Sequence, residues 1–187
     1  MTTVLAISGS LRAGSYNTAL LHAFTELAPA EVEVEILDPA ELKALEPYDQ
    51  DDDGEVPPPH AAVLRAKIAA ADVLLIATPE YNGTLPGQLK HVIDWGSRPR
   101  GDSAALYAKP VAVVSTSPSD YGALWAGEAA RKALGIAGAR VLAEIDLSVG
   151  GVIAKFDAEN VLVDEELRGR LTELAHQLAS HHKALVG

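Results

Sequence analysis

Three short runs of consecutive apolar residues constrain the fold of this chain more than any other feature. They span residues 4–7, 73–77 and 111–114. A strand in which every residue is apolar is buried on both faces, which is typical of a parallel sheet covered by helices. Between these runs the apolar residues recur at helical spacing, as they do over residues 17–27. The pattern therefore predicts a layered α/β structure.

The alternation of strands and helices continues along the whole chain. Strands are predicted at 3–7, 32–37, 73–77, 111–114 and 140–147, and helices at 17–27, 60–71, 87–95, 122–136 and 164–185. In the second strand apolar residues alternate with glutamates, which is typical of a half-exposed edge strand. We predict a doubly wound, five-stranded parallel sheet of order 2-1-3-4-5 with helices on both faces. No linker-like segment divides the chain, so residues 1–187 are predicted to form one domain.

Some segments and residues are interpreted structurally rather than functionally. Residues 38–59 are polar and rich in proline and acidic side chains, and we interpret most of this segment as a solvated surface loop, although loops of this length often contribute to a binding site. Asp94 is predicted to pair with Arg98 or Arg100. Trp125 is interpreted as a core or interface anchor.

The composition excludes several functional classes. The net charge of −11 argues against nucleic acid as a partner, because a phosphate backbone requires a basic face. The chain has no cysteine, so redox chemistry requires a bound cofactor. No apolar stretch approaches the roughly 20 residues that cross a bilayer, and no signal peptide is visible, so we expect a cytoplasmic protein without a membrane partner. Four histidines, His22, His176, His181 and His182, fall on predicted helix surfaces and form no metal-ligand pattern.

The segment that follows the first strand is dense in hydroxyl groups and glycine. It reads Ser-Gly-Ser-Leu-Arg-Ala-Gly-Ser-Tyr-Asn-Thr at positions 8–18 and precedes the first helix. Free N–H groups at a helix start bind anions, and the Arg12 guanidinium suits a phosphate. Ser10 and Ser15 can donate hydroxyl hydrogen bonds, and Asn17 can cap the helix or contact a ligand. The alternative is an ordinary capped helix start; we favour a phosphate site.

This segment differs from the two best-known phosphate-binding loops. It lacks the Gly-Lys-Ser/Thr ending of a nucleotide-hydrolysing P-loop and the three-glycine spacing of a dinucleotide fingerprint. With these two classes of loop excluded, the remaining candidate is a mononucleotide that is held by hydroxyls, amides and one guanidinium. Flavin mononucleotide (FMN) is the ligand that we favour.

Two further loops are predicted at the same edge of the sheet. Ligands of open α/β sheets bind beyond the carboxyl ends of the strands, where the strand order reverses. Residues 78–83 and 115–122 follow the third and fourth strands and are rich in Ser, Thr, Gly, Asn and Tyr. The Pro79-started turn can present backbone groups to the rim of a flat heterocycle, and Asn82-Gly83 supplies residues that tolerate positive φ. A plain turn is the alternative interpretation.

Several of these stretches together resemble the NADPH-dependent FMN reductase family. They are Gly-Ser-Leu-Arg-Ala-Gly-Ser-Tyr-Asn at 9–17, Pro-Glu-Tyr-Asn-Gly at 79–83 and Leu-Lys-His-Val-Ile-Asp-Trp at 89–95, with further similarity at 48–51 and 156–157. The resemblance implies the flavodoxin-like fold and an activity like that of bacterial quinone, azo-dye and chromate reductases. It also implies bound FMN, NADPH or NADH as co-substrate, and a homodimer that is often paired into a homotetramer.

The resemblance also implies roles for individual residues. The FMN phosphate and ribityl chain would contact Ser10, Arg12, Ser15, Tyr16 and Asn17. The flavin ring would contact Pro79, Glu80, Tyr81 and Asn82, with Ser117 near its polar edge. The chain departs from the family at His91, where asparagine is usual, and at residues 119–123, where Ser-Asp-Tyr-Gly-Ala replaces a more glycine-rich loop.

The expected activity is a ping-pong transfer of hydride from NAD(P)H through FMN to a quinone or similar acceptor. Because the cofactor carries the chemistry, no catalytic side chain is expected. One alternative is a flavodoxin-like one-electron carrier, which the acidic charge fits and the cationic Arg12 opposes. A second alternative is a flavin-free interaction protein on the same scaffold.

Overall fold

A parallel β-sheet forms the centre of the protein, as seen in a computed structural model that describes residues 1–186 and the side chains of residues 1–180. The strands are β1 (Thr2–Ser8), β2 (Val32–Ile36), β3 (Val73–Thr78), β4 (Pro110–Thr116), β5 (Arg140–Val141) and β6 (Leu147–Val149). The helices are α1 (Tyr16–Leu27), α2 (Pro39–Ala44), α3 (Pro59–Ala70), α4 (Gly87–Gly96), α5 (Leu124–Ile136) and α6 (Glu165–Val186), with a 3₁₀ turn at Val152–Lys155. The strand order is β2-β1-β3-β4-β5, with β6 also beside β4, which confirms the predicted order.

Alternate residues of the central strands divide between two hydrophobic cores. In β1, Val4 and Ala6 belong to the core under α1 and α6, whereas Leu5 and Ile7 belong to the core under α2, α3, α4 and α5. The same alternation holds in β3 and β4, as expected for side chains that point to opposite faces of a sheet. Helices therefore cover both faces, as predicted from the continuous apolar runs.

The last strand differs from the prediction of one continuous strand at 140–147. Two short segments, β5 and β6, pair with β4 instead. Leu142 and Ile145 both lie in the core under α1 and α6, yet a spacing of three residues would place them on opposite faces of a regular strand. A turn, in which the Ile145 N–H donates to the Leu142 carbonyl at 3.1 Å, resolves this conflict.

The 38–59 segment is less irregular and less solvated than predicted. Asp38 caps α2 by accepting a hydrogen bond from the Ala40 N–H at 2.8 Å, and Pro39 occupies the first helical turn, both of which favour helix initiation. Asp53 is half-buried and forms an ion pair of 2.6 Å with Arg65. The neighbouring acidic residues 49–52 are exposed, so the solvated interpretation holds for that part.

None of the described helices combines the length and the apolar character needed to span a lipid bilayer.

The loop after β4 is fixed against the end of β6 by close backbone contacts. A Cβ atom on Gly150 would overlap the carbonyl of Asp120, and one on Gly122 would lie 2.8 Å from the backbone nitrogens of Val149 and Gly150. Gly122 also has φ +59°, a conformation that side chains disfavour. These two glycines therefore allow the 117–122 loop to lie directly on the β6 end.

We predict that Gly150→Ala lowers the free energy of unfolding by about 1–3 kcal/mol, because an extra methyl group must displace packed backbone. Gly169→Ala serves as the matched control: no atom lies within 4 Å of its added Cβ in α6, and alanine in a helix interior stabilises by about 0.5–1 kcal/mol. Urea unfolding of both variants measures the difference. Equal unfolding midpoints for the two variants would contradict this account of the loop.

Candidate functional site

The segment between β1 and α1 lies directly against the loop that follows β3. The Gly9 N–H donates to the Ala77 carbonyl at 2.8 Å. A Cβ on Gly9 would approach Leu89 Cδ2 to 3.1 Å and Pro79 Cδ to 3.2 Å. Glycine at this position therefore permits the two predicted binding segments, residues 8–18 and residues 78–83, to meet at the carboxyl edge of the sheet.

Hydroxyl groups shape the segment before α1. The Ser8 Oγ accepts hydrogen bonds from the Ser10 N–H at 3.3 Å and from the Thr18 hydroxyl at 2.9 Å. Ser15 is the N-cap, and its Oγ accepts from the Asn17 N–H at 3.2 Å. Among the described residues, nothing accepts from the N–H groups of Tyr16 and Thr18. The start of α1 thus keeps free donors, which is the arrangement that binds anions.

Arg12 adds positive charge beside this helix start. Its side chain is exposed and lines the cleft next to Ser10 and Ser15. Within the described part of the chain it forms no ion pair. The guanidinium is therefore available to a phosphate group.

Asn17 carries an unsatisfied polar atom at the floor of the cleft. Its Nδ2 donates to the Thr116 carbonyl at 3.4 Å, and its Oδ1 is buried without a hydrogen-bond partner among the described residues. A buried acceptor without a partner costs about 1–3 kcal/mol. A hydroxyl-bearing ligand in the cleft fits this atom, which supports FMN as the occupant because the ribityl chain carries hydroxyl groups.

The loop after β3 forms a tight turn. Tyr81 and Thr84 exchange two backbone hydrogen bonds of 3.1 and 3.3 Å, and the two residues between them, Asn82 and Gly83, have φ of 54° and 76°. Positive φ at both central positions defines a type I′ turn, and it confirms the expectation that Asn82 and Gly83 supply positive φ. Beside the turn, Glu80 Oε2 accepts from the Ala126 N–H at 3.2 Å and thereby caps the start of α5. A capping role, rather than acid–base chemistry, accounts for this carboxylate.

The segments enclose a cleft of about 440 Å³, including its open mouth. The structure brings together nine of the ten residues predicted for the site: Ser10, Arg12, Ser15, Tyr16, Asn17, Pro79, Glu80, Tyr81 and Ser117. Asn82 is the exception, since it does not line the cleft and instead shapes the turn. That these residues bind FMN stays a prediction.

Three lining residues were missed by the sequence analysis. Thr116 and Pro118 flank Ser117; they belong to the 115–122 segment that was predicted at this edge of the sheet but were not named as site residues. Val152 lines the cleft because its N–H donates to the Ser117 carbonyl at 3.3 Å. A single valine far along the chain gave no sequence signal for this contact.

Residues outside the cleft correct some structural expectations. Asp94 pairs with Lys90 at 2.6 Å, one turn earlier within α4, rather than with Arg98 or Arg100. Both arginines lie beyond the end of α4 at Gly96, and Arg98 pairs with Asp53 at 3.8 Å instead. His91 Nδ1 accepts from the Tyr48 N–H at 3.1 Å, so it attaches the 46–48 segment to α4. Trp125 is 53% exposed and is not a core residue.

Four histidines were predicted to lie on helix surfaces without forming a metal site. His22 and His176 are exposed, as predicted, whereas the side chains of His181 and His182 lie outside the described residues. Among the residues that the structure describes, no group of three or more potential ligands could hold a metal ion.

Comparisons with known proteins agree with this geometry. A family model described as NADPH-dependent FMN reductase matches residues 2–153. A quinone reductase of Pseudomonas putida is 37% identical over 163 residues, which cover 87% of this chain and 86% of that protein. A 2-hydroxy-1,4-benzoquinone reductase of Burkholderia sp. is 33% identical over 177 residues, with coverage of 95% and 94%.

A solved structure extends the similarity to the complete fold. FerB, a flavoenzyme NAD(P)H:(acceptor) oxidoreductase from Paracoccus denitrificans, superposes with a TM-score of 0.87 at 28% identity and covers 98% of both chains. This similarity confirms the predicted flavodoxin-like fold. The chain is therefore an oxidoreductase that belongs to the NADPH-dependent FMN reductase family.

Proposed function

We propose that this protein is an FMN-dependent NAD(P)H:quinone oxidoreductase. Overall, NAD(P)H, a quinone and one proton are converted to NAD(P)⁺ and the hydroquinone. The observation that carries the proposal is the cleft in which the free donors of α1, the unpaired Arg12 and the unsatisfied Asn17 Oδ1 lie beside the type I′ turn. The quinone is proposed because quinone reductases are among the relatives.

The phosphate end of the cleft is assigned to Ser10, Arg12, Ser15, Tyr16 and Asn17. The N–H groups of Tyr16 and Thr18 and the guanidinium of Arg12 would hold the phosphate, because a helix N-terminus and a cation together favour an anion. Asn17 would hold a ribityl hydroxyl through its Oδ1. These contacts orient the ligand along the carboxyl edge of β1, β3 and β4.

The ring end of the cleft is assigned to Pro79, Glu80, Tyr81, Asn82 and Ser117. Pro79 is buried and apolar, Tyr81 is 50% exposed at the mouth, and Asn82 acts through the shape of the turn. Bound FMN supplies the hydride chemistry. The chain supplies the orientation of the ring, an apolar wall from Pro79 and Val152, and an open mouth for the second substrate.

We propose a ping-pong order, in which NAD(P)⁺ leaves before the quinone binds at the same mouth. No side chain in the cleft is assigned as a general acid or base, because the Glu80 carboxylate already caps α5. The proton that completes the hydroquinone comes from water at the exposed mouth.

The proposal includes assembly and location. Residues 1–187 would act as one FMN-binding domain, in a homodimer or homotetramer, in the cytoplasm, where NAD(P)H is available. Self-association is supported by a groove between α4 and α5 that exposes apolar side chains, of which Ile136 is 79% exposed. Light scattering of the purified protein reports the oligomeric state.

We predict that Arg12→Ala weakens FMN binding about tenfold, since a hydrogen bond to a charged group contributes about 1.5–3 kcal/mol and solvent exposure reduces this value. Riboflavin, which lacks the phosphate, should bind both proteins equally. Fluorescence titration of the flavin-free protein measures both affinities. Arg170→Ala, which changes an exposed arginine of α6, is the control. Equal losses of affinity for FMN and riboflavin would contradict the assignment of Arg12 to the phosphate.

We predict that the FMN-loaded protein is bleached rapidly by anaerobic NAD(P)H and regains its yellow colour when a quinone is added. Initial rates at several fixed quinone concentrations should give parallel double-reciprocal lines, as expected for the ping-pong order. Intersecting lines would contradict that order. Negligible NAD(P)H oxidation by a protein that binds FMN would favour the one-electron carrier, and a failure to bind FMN would refute the proposed function altogether.

A further inference from the structure

Two aromatic side chains form an exposed stacked pair at the start of α5. The rings of Tyr121 and Trp125 are 5.7 Å apart between centroids and only 19° from parallel. Tyr121 is 67% exposed and Trp125 is 53% exposed. A fixed aromatic pair with free surface is suited to stack on another flat ring. We call Tyr121 and Trp125 the aromatic pair.

The backbone under the aromatic pair is held in place by hydrogen bonds. The Ser115 hydroxyl donates to the Gly122 carbonyl at 2.7 Å, and the Leu124 N–H donates to the Tyr121 carbonyl at 3.1 Å. The Gly151 N–H donates to the Ser119 carbonyl at 3.1 Å. The loop that carries Tyr121 is thus fixed both to β4 and to the segment after β6, so little order has to be gained when a ligand stacks.

The aromatic pair is connected through short stretches of backbone to two walls of the cleft, although neither ring is among the residues that line it. Pro118, which lines the cleft, is three residues before Tyr121. On the other side, the residue after Trp125 is Ala126, whose N–H is held by Glu80 from the loop that forms the opposite wall of the cleft. Both connections are short, which favours a position of the pair near the mouth where the second substrate enters.

The charges next to the aromatic pair are negative. Asp120 precedes Tyr121, and Glu128 follows Trp125 by three positions on the same helix face; both carboxylates are exposed. They disfavour acceptors that carry negative groups next to the ring, such as sulfonated quinones and anionic dyes. A flat, neutral or cationic aromatic ring fits the pair better.

We propose that the aromatic pair is the specificity-determining platform for the electron acceptor and selects flat aromatic acceptors without negative charge. The inference rests on the proposed function, which it makes more specific. It concerns the loop after β4, which carries Tyr121, and the first turn of α5, which carries Trp125.

A binding experiment tests the platform without using turnover. The chain has only two tryptophans, and Trp95 is fully buried with its indole N–H bonded to the Glu46 carbonyl at 2.7 Å. In the oxidised, FMN-loaded protein, 2-methyl-1,4-naphthoquinone should quench the Trp125 fluorescence saturably, and Trp125→Phe should abolish the saturable part. Acrylamide, which has no flat ring, should quench without saturation. Non-saturable quenching by the naphthoquinone would overturn the proposal.

A kinetic experiment tests selectivity. Trp125→Ala should raise the KM for the naphthoquinone about tenfold, which equals about 1.4 kcal/mol, while Trp125→Phe should restore most of the affinity. The KM for NAD(P)H and the rate with ferricyanide, which has no aromatic ring, should not change. Val63→Ala, which shortens an apolar side chain of similar exposure (48%) on α3, is the control and should leave all these values unchanged.

Removal of the two carboxylates tests whether they select against anionic acceptors. Combined Asp120→Asn and Glu128→Gln should lower the KM for 1,4-naphthoquinone-2-sulfonate by about threefold, because removal of two exposed carboxylates weakens repulsion by less than about 1 kcal/mol. The KM for the neutral naphthoquinone should stay constant. Equal changes for both quinones would contradict the charge selectivity.

Other outcomes separate the platform from its alternatives. An equal loss with ferricyanide, or a raised KM for NAD(P)H alone, would show that Trp125 does not select the acceptor. A change in the oligomeric mass of Trp125→Ala with an unaltered acceptor KM would show that a second copy covers the aromatic pair. If the native protein failed to oxidise NAD(P)H, the proposed function would fail, whereas the fluorescence titration would still decide whether the pair binds a flat ring.

Discussion

The contact between Gly9 and the end of β3 is the constraint on which the site depends. The winding of the chain reverses between β1 and β3, since α1, which follows β1, and α4, which follows β3, cover opposite faces of the sheet. This reversal opens a crevice at the carboxyl ends of the two strands. The hydrogen bond from the Gly9 N–H to the Ala77 carbonyl holds the two following loops together. Because Gly9 has no side chain, Pro79 and Leu89 can approach the backbone closely. The cleft exists because these two loops cannot separate.

The resulting site has opposite charges at its two ends. Arg12 and the N-terminus of α1 provide positive potential at the phosphate end, whereas the Glu80 carboxylate lies at the ring end. Asp120 is on the loop after β4 and does not itself line the cleft. Glu80 caps α5, so a carboxylate from the loop after β3 stabilises a helix that lies outside the lining of the cleft. This distribution of charge favours an anionic group at the phosphate end of the cleft and a neutral or cationic ring at the ring end. In this strongly acidic protein, the cationic Arg12 therefore lies at one end of the cleft only.

The parts of the fold that were predictable from sequence are those decided by local pattern. The central strands were found because every residue in them is apolar, and a turn with positive φ was expected at Asn82 and Gly83 because both residues tolerate this conformation. The interrupted last strand was not found, since the turn between Leu142 and Ile145 depends on which core both side chains must reach. The ion pair between Asp53 and Arg65 was missed for the same reason: it depends on tertiary proximity. The α2 helix, with its Asp38-Pro39 start, was predictable in principle and was overlooked.

The residues of the cleft were also predictable only where a local sequence pattern marked them, and not where a tertiary contact brought them in. Residues in dense polar loops, such as Ser10 and Asn17, were recognised from their chemistry, and the family resemblance connected the two loops. Val152 could not be recognised, because an isolated valine acquires its place only through the backbone hydrogen bond to Ser117. Asn82 was given a contact role, although its contribution is conformational.

The unsatisfied Oδ1 of Asn17 has a consequence for the life of the protein in the cell. A flavin-free chain keeps a buried acceptor without a partner and is destabilised by it, whereas a ligand that pairs with this atom binds only the folded state and raises its stability. Newly made chains that meet little flavin would therefore unfold more often and be degraded faster. In this way, the abundance of the protein would follow the vitamin supply without any dedicated regulator.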